Sequence, residues 1–224
     1  MNQTSILLLV VASAAGLMGW APAALVSLPE LALGAQPWRL VSGHFAHADL
    51  NHWMINSAGL LACGLLFERA CRAHFTGLLI TGMVFVNVWL LAGSSLSAYC
   101  GLSGALNAVF VGGCLMRYST ADTWAQQSSL RYLWLLLPLL DLLKIGVEFC
   151  SGQALFSDSS WASTPLAHLA GWLAGGVYVA VWSSIKSCCA DTRRLARNNF
   201  VAYCLARKTA DGCAFCPSRG LSLL

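Results

Sequence analysis

The chain has 224 residues, of which 58% are apolar and only 10% charged, with a formal net charge of +4. Soluble domains carry about 25% charged residues, so this composition excludes an ordinary soluble fold. The apolar residues also fall in blocks close to the ~20 residues that cross a bilayer core, and nothing in the composition points to a nucleic-acid partner. About half of the 10 cysteines lie inside apolar blocks, where cysteine behaves as a small hydrophobe, and the set does not read as a disulfide framework.

The first apolar run covers about residues 6–26. It lacks a positive n-region and is long for the apolar core of a signal peptide, which predicts a retained first span. Residues 27–50 form a mixed loop with prolines, the pair Trp38-Arg39, and the histidines His44 and His47. The second span is expected at about 51–67, ending at Glu68-Arg69, and the third at about 75–92. A short Ser-rich turn at 93–98 leads to Gly101-Leu102-Ser103-Gly104, which opens a fourth apolar helix that stops at Arg117. A polar connection precedes the fifth span, about 133–149, which holds Asp141, Lys144 and Glu148. After a polar loop at 151–164, the sixth span covers about 165–185.

Six spans place both termini on one side. Of the 13 Lys and Arg residues, only Arg39 and Lys144 then fall toward the opposite side. The positive-inside rule therefore predicts cytoplasmic termini. The expected architecture is all-α: a six-transmembrane-helix membrane domain over residues 1–186, with a short fourth helix. A basic, cysteine-containing, flexible cytoplasmic tail over 187–224 follows, resting against anionic lipid. No internal repeat is visible.

Three polar sets stand inside this apolar frame. Ser103 sits between glycines at a helix N-terminus, where free N–H groups and the helix dipole favour a developing oxyanion. His52 and Asn56 are four residues apart and share a helix face. His168 lies in Ala167-His168-Leu169-Ala170-Gly171, followed by Gly175. Polar groups within spans are costly and face a protein interior or a water-filled cavity. Ser103 lies 14 residues before Arg117, His168 18 before Lys186 and His52 17 before Arg69. At 1.5 Å per residue these are about 21, 27 and 25 Å above the cytoplasmic boundary, so the three groups stand at comparable depths. The fourth helix is too short for a core about 30 Å thick, and the turn before Ser103 must dip inward.

These positions fit a peptidase mechanism. His168 takes the proton of Ser103 and returns it to the leaving amine. The Ser103 N–H, His52 and Asn56 bind the oxyanion. No carboxylate is evident behind His168, which points to a dyad. Gly171 and Gly175 form a small-xxx-small face that would let the fourth and sixth helices approach.

The constellation closely resembles the rhomboid family of intramembrane serine proteases. The resemblance covers about residues 5–186. It rests on Trp38-Arg39, His47-Ala-Asp-Leu-Asn-His52-Trp-Met-Ile-Asn56, Gly101-Leu-Ser103-Gly104 and Ala167-His168-Leu-Ala-Gly171-Trp-Leu-Ala-Gly175. Each motif alone is weak; together they are specific. The resemblance implies Ser103 and His168 as the dyad and His52 and Asn56 as oxyanion donors. The compact form, the Tyr99-to-Gly104 setting and the Lys144/Glu148 pair look like the rhombosortase branch, although that branch carries a histidine where this chain has Asn107. That likeness implies a bacterial inner-membrane enzyme. Its substrates would be exported proteins ending in a Gly-Gly, an apolar helix and a basic tail, which it trims without a cofactor.

Other residues admit plainer readings. Asp141, Lys144 and Glu148 occupy one helix face, either as an internal ion pair or as a polar lateral opening where substrate is recognised. His44 and His47 are expected to hydrogen-bond within the first loop, since no His-Glu-x-x-His motif supports a metal. His74 is expected at the cytoplasmic interface. Cys213-Ala-Phe-Cys216 resembles half a zinc knuckle, without a second half. Two rivals come from other classes: a catalytically silent rhomboid-like protein that binds transmembrane segments, and a small-solute transporter. The first would have lost the serine or histidine. The second calls for inverted repeats.

Overall fold

A computed structural model describes residues 25–71, 73–92, 96–119, 129–155 and 164–210. The expected first span, apart from its end, and the Cys213–Cys216 pair lie outside the described residues. Among the described residues two short helices come first, α1 (Pro29–Ala32) and α2 (Arg39–Phe45), followed by α3 (Leu50–Cys71), α4 (Phe75–Leu91) and α5 (Ser103–Ser119). A 3-10 turn, Ser129–Tyr132, leads into α6 (Leu133–Ser151), and α7 covers Pro165–Ala210. Among the described residues every named element is helical, with one isolated antiparallel bridge, Ser27 to Tyr99.

Local chemistry accounts for several boundaries. Asp49 precedes α3, and its Oδ1 accepts the His52 backbone N–H at 2.8 Å, a side-chain cap for an otherwise unpaired donor. Gly152 ends α6 at φ +68 and donates its N–H to the Glu148 carbonyl at 3.0 Å, the left-handed stop that glycine adopts without strain. Pro165 opens α7, where its missing N–H costs nothing.

The distribution of polarity is inverted relative to a soluble protein. Leu61, Leu65, Val84, Val88, Leu139 and Leu143 are exposed, whereas Asn56, Asn107, Glu148 and His168 are buried. Exposed apolar faces of this extent need an apolar solvent, and interior polar groups are the pattern of a membrane bundle. Two helices, Leu50–Phe67 and Pro165–Cys188, are long and apolar enough to cross a membrane, with Phe75–Leu91 a shorter apolar helix.

The core of the first compact unit, Met1–Val179, is α5. Gly104 through Val109 and Val111 through Cys114 are all buried, and Phe110 between them is partly exposed. With 17 residues α5 is about 25 Å long, short against a core of about 30 Å. It packs against α3, α4 and α6, and small residues set the approach to α7. A Cβ on Gly171 would overlap the Gly104 carbonyl oxygen, and one on Gly175 would lie 2.6 Å from the Ala108 carbonyl oxygen. The two glycines thus bring α7 onto the backbone of α5. The second unit, Ala180–Leu224, is helical to Ala210 where the sequence reading expects a flexible tail from residue 187. Residues 187–210 contain neither Pro nor Gly and are rich in Ala and Arg, a composition that sustains a helix.

Candidate active site

Ser103 is the first residue of α5, so its N–H belongs to the group that finds no partner within the helix. The stretch that leads to it is fastened by main-chain bonds. Ser27 and Tyr99 exchange N–H···O bonds, both 2.9 Å, and Gly101 N–H donates to the Gly43 carbonyl at 3.0 Å. The Tyr99 hydroxyl donates to the Gly101 carbonyl at 3.0 Å. Gly101 has φ +117, a conformation that side chains disfavour. A Cβ there would also stand 2.6 Å from His52 Nε2 and 3.7 Å from Asn56 Nδ2. Only glycine suits this point, and it brings the turn before Ser103 directly against the two polar residues of α3.

Asn56 is buried, and its Nδ2 donates to the His52 carbonyl at 3.0 Å. The His52 ring stands edge-on to His47, 5.2 Å between centroids. One turn into α5, Asn107 Nδ2 donates to the Ser103 carbonyl at 2.8 Å.

From α7, His168 places Nε2 2.9 Å from Ser103 Oγ. Its other ring nitrogen, Nδ1, lies 3.1 Å from Oε2 of Glu148 on α6. The sequence reading leaves His168 without a carboxylate; the structure places one there. Glu148 is 1% exposed, and its Oε2 also pairs with Lys144 Nζ at 3.2 Å, one helical turn away. Its Oε1 accepts the N–H of Leu155 at 3.0 Å, which fastens the chain beyond α6. The expected Lys144–Glu148 ion pair is therefore present, but the carboxylate has a second neighbour that helical spacing could not disclose. Lys144 itself is part exposed, at 21%.

The first loop builds the wall beside these groups. Arg39 is buried, with Nη1 donating to the Val26 carbonyl at 2.6 Å and Nε to Gln36 Oε1. Ser42 Oγ donates to the Leu25 carbonyl at 2.8 Å. His44 Nε2 lies 3.3 Å from Asn87 Oδ1, and Asn87 Nδ2 donates to the Leu40 carbonyl at 2.8 Å. Burial pushes the His44 imidazole down to about 4, with the Asn87 contact opposing. Trp38, by contrast, is exposed. His74 Nδ1 lies 3.1 Å from the Tyr178 hydroxyl.

A hydroxyl hydrogen-bonded to an imidazole, at a helix N-terminus and beside a side-chain amide, can support attack on a carbonyl and hold the oxyanion that results. A family model described as Rhomboid domain matches residues 34–185, a stretch that contains His52, Asn56, Ser103, Glu148 and His168. No curated protein and no solved structure matches the chain. Members of the matched family are generally intramembrane serine proteases. With the match extending over more than half of the sequence, around a part-buried Ser–His contact in an all-helical fold, the chain belongs to the rhomboid family.

Proposed function

We propose that the chain is an intramembrane serine endopeptidase that cleaves single-span substrates, with Ser103 as nucleophile and His168 as general base. The observation that carries this reading is the 2.9 Å contact between His168 Nε2 and Ser103 Oγ at the head of α5. The hydroxyl proton passes to Nε2 as Oγ attacks the peptide carbonyl. The imidazolium then protonates the leaving amine, and water hydrolyses the acyl-enzyme by the same route. The Ser103 N–H, His52 and Asn56 receive the oxyanion, a contribution of about 3–4 kcal/mol per donor. No cofactor enters these steps.

The finer reading is a bacterial inner-membrane protein with six spans and both termini in the cytoplasm. Its substrates are exported proteins ending in Gly-Gly, an apolar helix and a basic tail, which it trims after export. The resemblance of the Ser103 setting and of the Lys144/Glu148 pair supports it. Lys144, part exposed at 21%, is the more accessible member of that pair to a substrate. The rival reading as a silent binding protein is disfavoured by the retention of both Ser103 and His168.

The test is co-expression with a tagged protein bearing such a tail, comparing the wild type with Ser103→Ala and His168→Ala at matched membrane levels. Trimming by the wild type alone is the expected outcome. Equal trimming by all three would assign the cut to another enzyme. Labelling of Ser103 by a fluorophosphonate without trimming would retain the protease and discard the substrate.

A further inference from the structure

We propose that Glu148 is a positioning residue for His168, which makes the site a Ser103–His168–Glu148 triad contributed by three helices. The inference rests on the reading of Ser103 and His168 as the reacting pair. A carboxylate is an acceptor only, so the ring nitrogen facing it must carry the proton. With Nδ1–H donating to Glu148 Oε2 at 3.1 Å, the lone pair of His168 sits on Nε2. That nitrogen lies 2.9 Å from Ser103 Oγ and accepts the hydroxyl proton. The opposite tautomer would leave Nε2 protonated and unable to serve as the base. Glu148 therefore fixes both the tautomer and the ring plane, and it stabilises the imidazolium that forms during attack.

Three features make Glu148 suited to this work. Its carboxylate is 1% exposed, so water does not screen the contact. Both oxygens are engaged, Oε2 by His168 and Lys144 and Oε1 by the Leu155 N–H, which holds the group in one orientation. Lys144 supplies the countercharge that a carboxylate inside a membrane bundle needs. The other ionisable side chains near the pair are Asp141, on the same helix, and His52 of α3. A purely structural ion pair would not need Glu148 to face the nitrogen of His168 that points away from the serine.

The experiment compares the full-length wild type with Glu148→Gln, Glu148→Asp and the double variant Lys144→Leu/Glu148→Leu. The readouts are fluorophosphonate labelling of Ser103 per folded molecule and the division of the cleavage defect between kcat and KM. Glu148→Gln keeps the shape and the Leu155 contact but no longer dictates the tautomer. It is expected to lower kcat and the labelling rate about 10²–10⁴-fold with KM changed less than about threefold. Glu148→Asp should recover part of that loss. The double variant should remain slow, whereas a role limited to neutralising Lys144 would restore its rate. A labelling rate for Glu148→Gln within about threefold of the wild type would overturn the triad while leaving the Ser–His reading intact. Absence of labelling in the wild type would remove both. Nitrogen-15 NMR of the histidines supplies a measurement independent of variant folding. A His168 protonated at Nδ1 is expected, and one protonated at Nε2 would sink the proposal.

Discussion

The two ends of α5 use the same helix for opposite purposes. At its head the neighbours are polar: Ser103 faces His168, with Glu148 behind it, and the turn before it touches His52 and Asn56. At its foot they are apolar. A Cβ on Gly113 would meet the Phe67 ring at 2.5 Å, and one on Gly112 would overlap Leu78. The foot is held mainly by shape, with Arg117 closing it over the Trp134 ring at 5.4 Å and donating to the Leu66 carbonyl at 3.2 Å. Hydrogen bonds direct groups at the head, and dense packing immobilises the backbone at the foot. Substitutions at the head should therefore appear in turnover, and substitutions at the foot in stability.

The largest expected effect is at the head. Ser103→Ala should lower cleavage by about 10⁶-fold with the melting temperature in detergent unchanged; an active variant would place the nucleophile elsewhere. Asn56→Ala comes next, with a loss of about 10²–10³ in kcat if its amide receives the oxyanion, read from turnover at equal amounts of folded protein. At the foot, Gly113→Ala should cost about 1–3 kcal/mol of stability through overpacking against Phe67. Its labelling per folded molecule should match the wild type, and a selective loss of labelling would erase the contrast between the two ends.

The smallest effect belongs to His44. Its imidazole is pushed down to about 4 by burial, below the ordinary value near 6.5. The unfolded chain therefore binds the proton first. The stability that neutral His44 provides is present above pH ~6.5 and is lost as pH falls toward 4. Between pH 7 and 5.5 this amounts to about 1 kcal/mol. Thermal unfolding across that range should show the loss in the wild type and a flatter profile in His44→Gln.

Much of this contrast was legible in the sequence. Ser103, His52, Asn56 and His168 stood out because each is a polar group in an apolar block at a similar depth, and the Gly171/Gly175 spacing announced a close helix contact. Glu148 behind His168 was not legible, because the two residues lie on separate helices 20 positions apart, and Lys144 four residues earlier already explained the carboxylate. Depth held the missing signal. Glu148 is 17 residues beyond Arg131, about 25 Å above the boundary, level with His168. The Ser27–Tyr99 bridge and the Arg39 bond to the Val26 carbonyl escaped for a different reason: their acceptors are main-chain atoms, which leave no mark on residue type. The helix through Ala210 is hidden by the basic charge of that stretch, which resembles a solvated tail although its residues favour a helix.

The contact of Gly171 with the Gly104 carbonyl limits how this pair of helices can change over evolutionary time. The spacing between the serine helix and the histidine helix is set by backbone meeting backbone, with no side chain to trim or extend. No series of small substitutions at position 171 can tune the reacting distance by degrees. The first step away from glycine is already a displacement of one helix, so variation in rate and selectivity must come from residues around the pair, while the separation itself stays fixed.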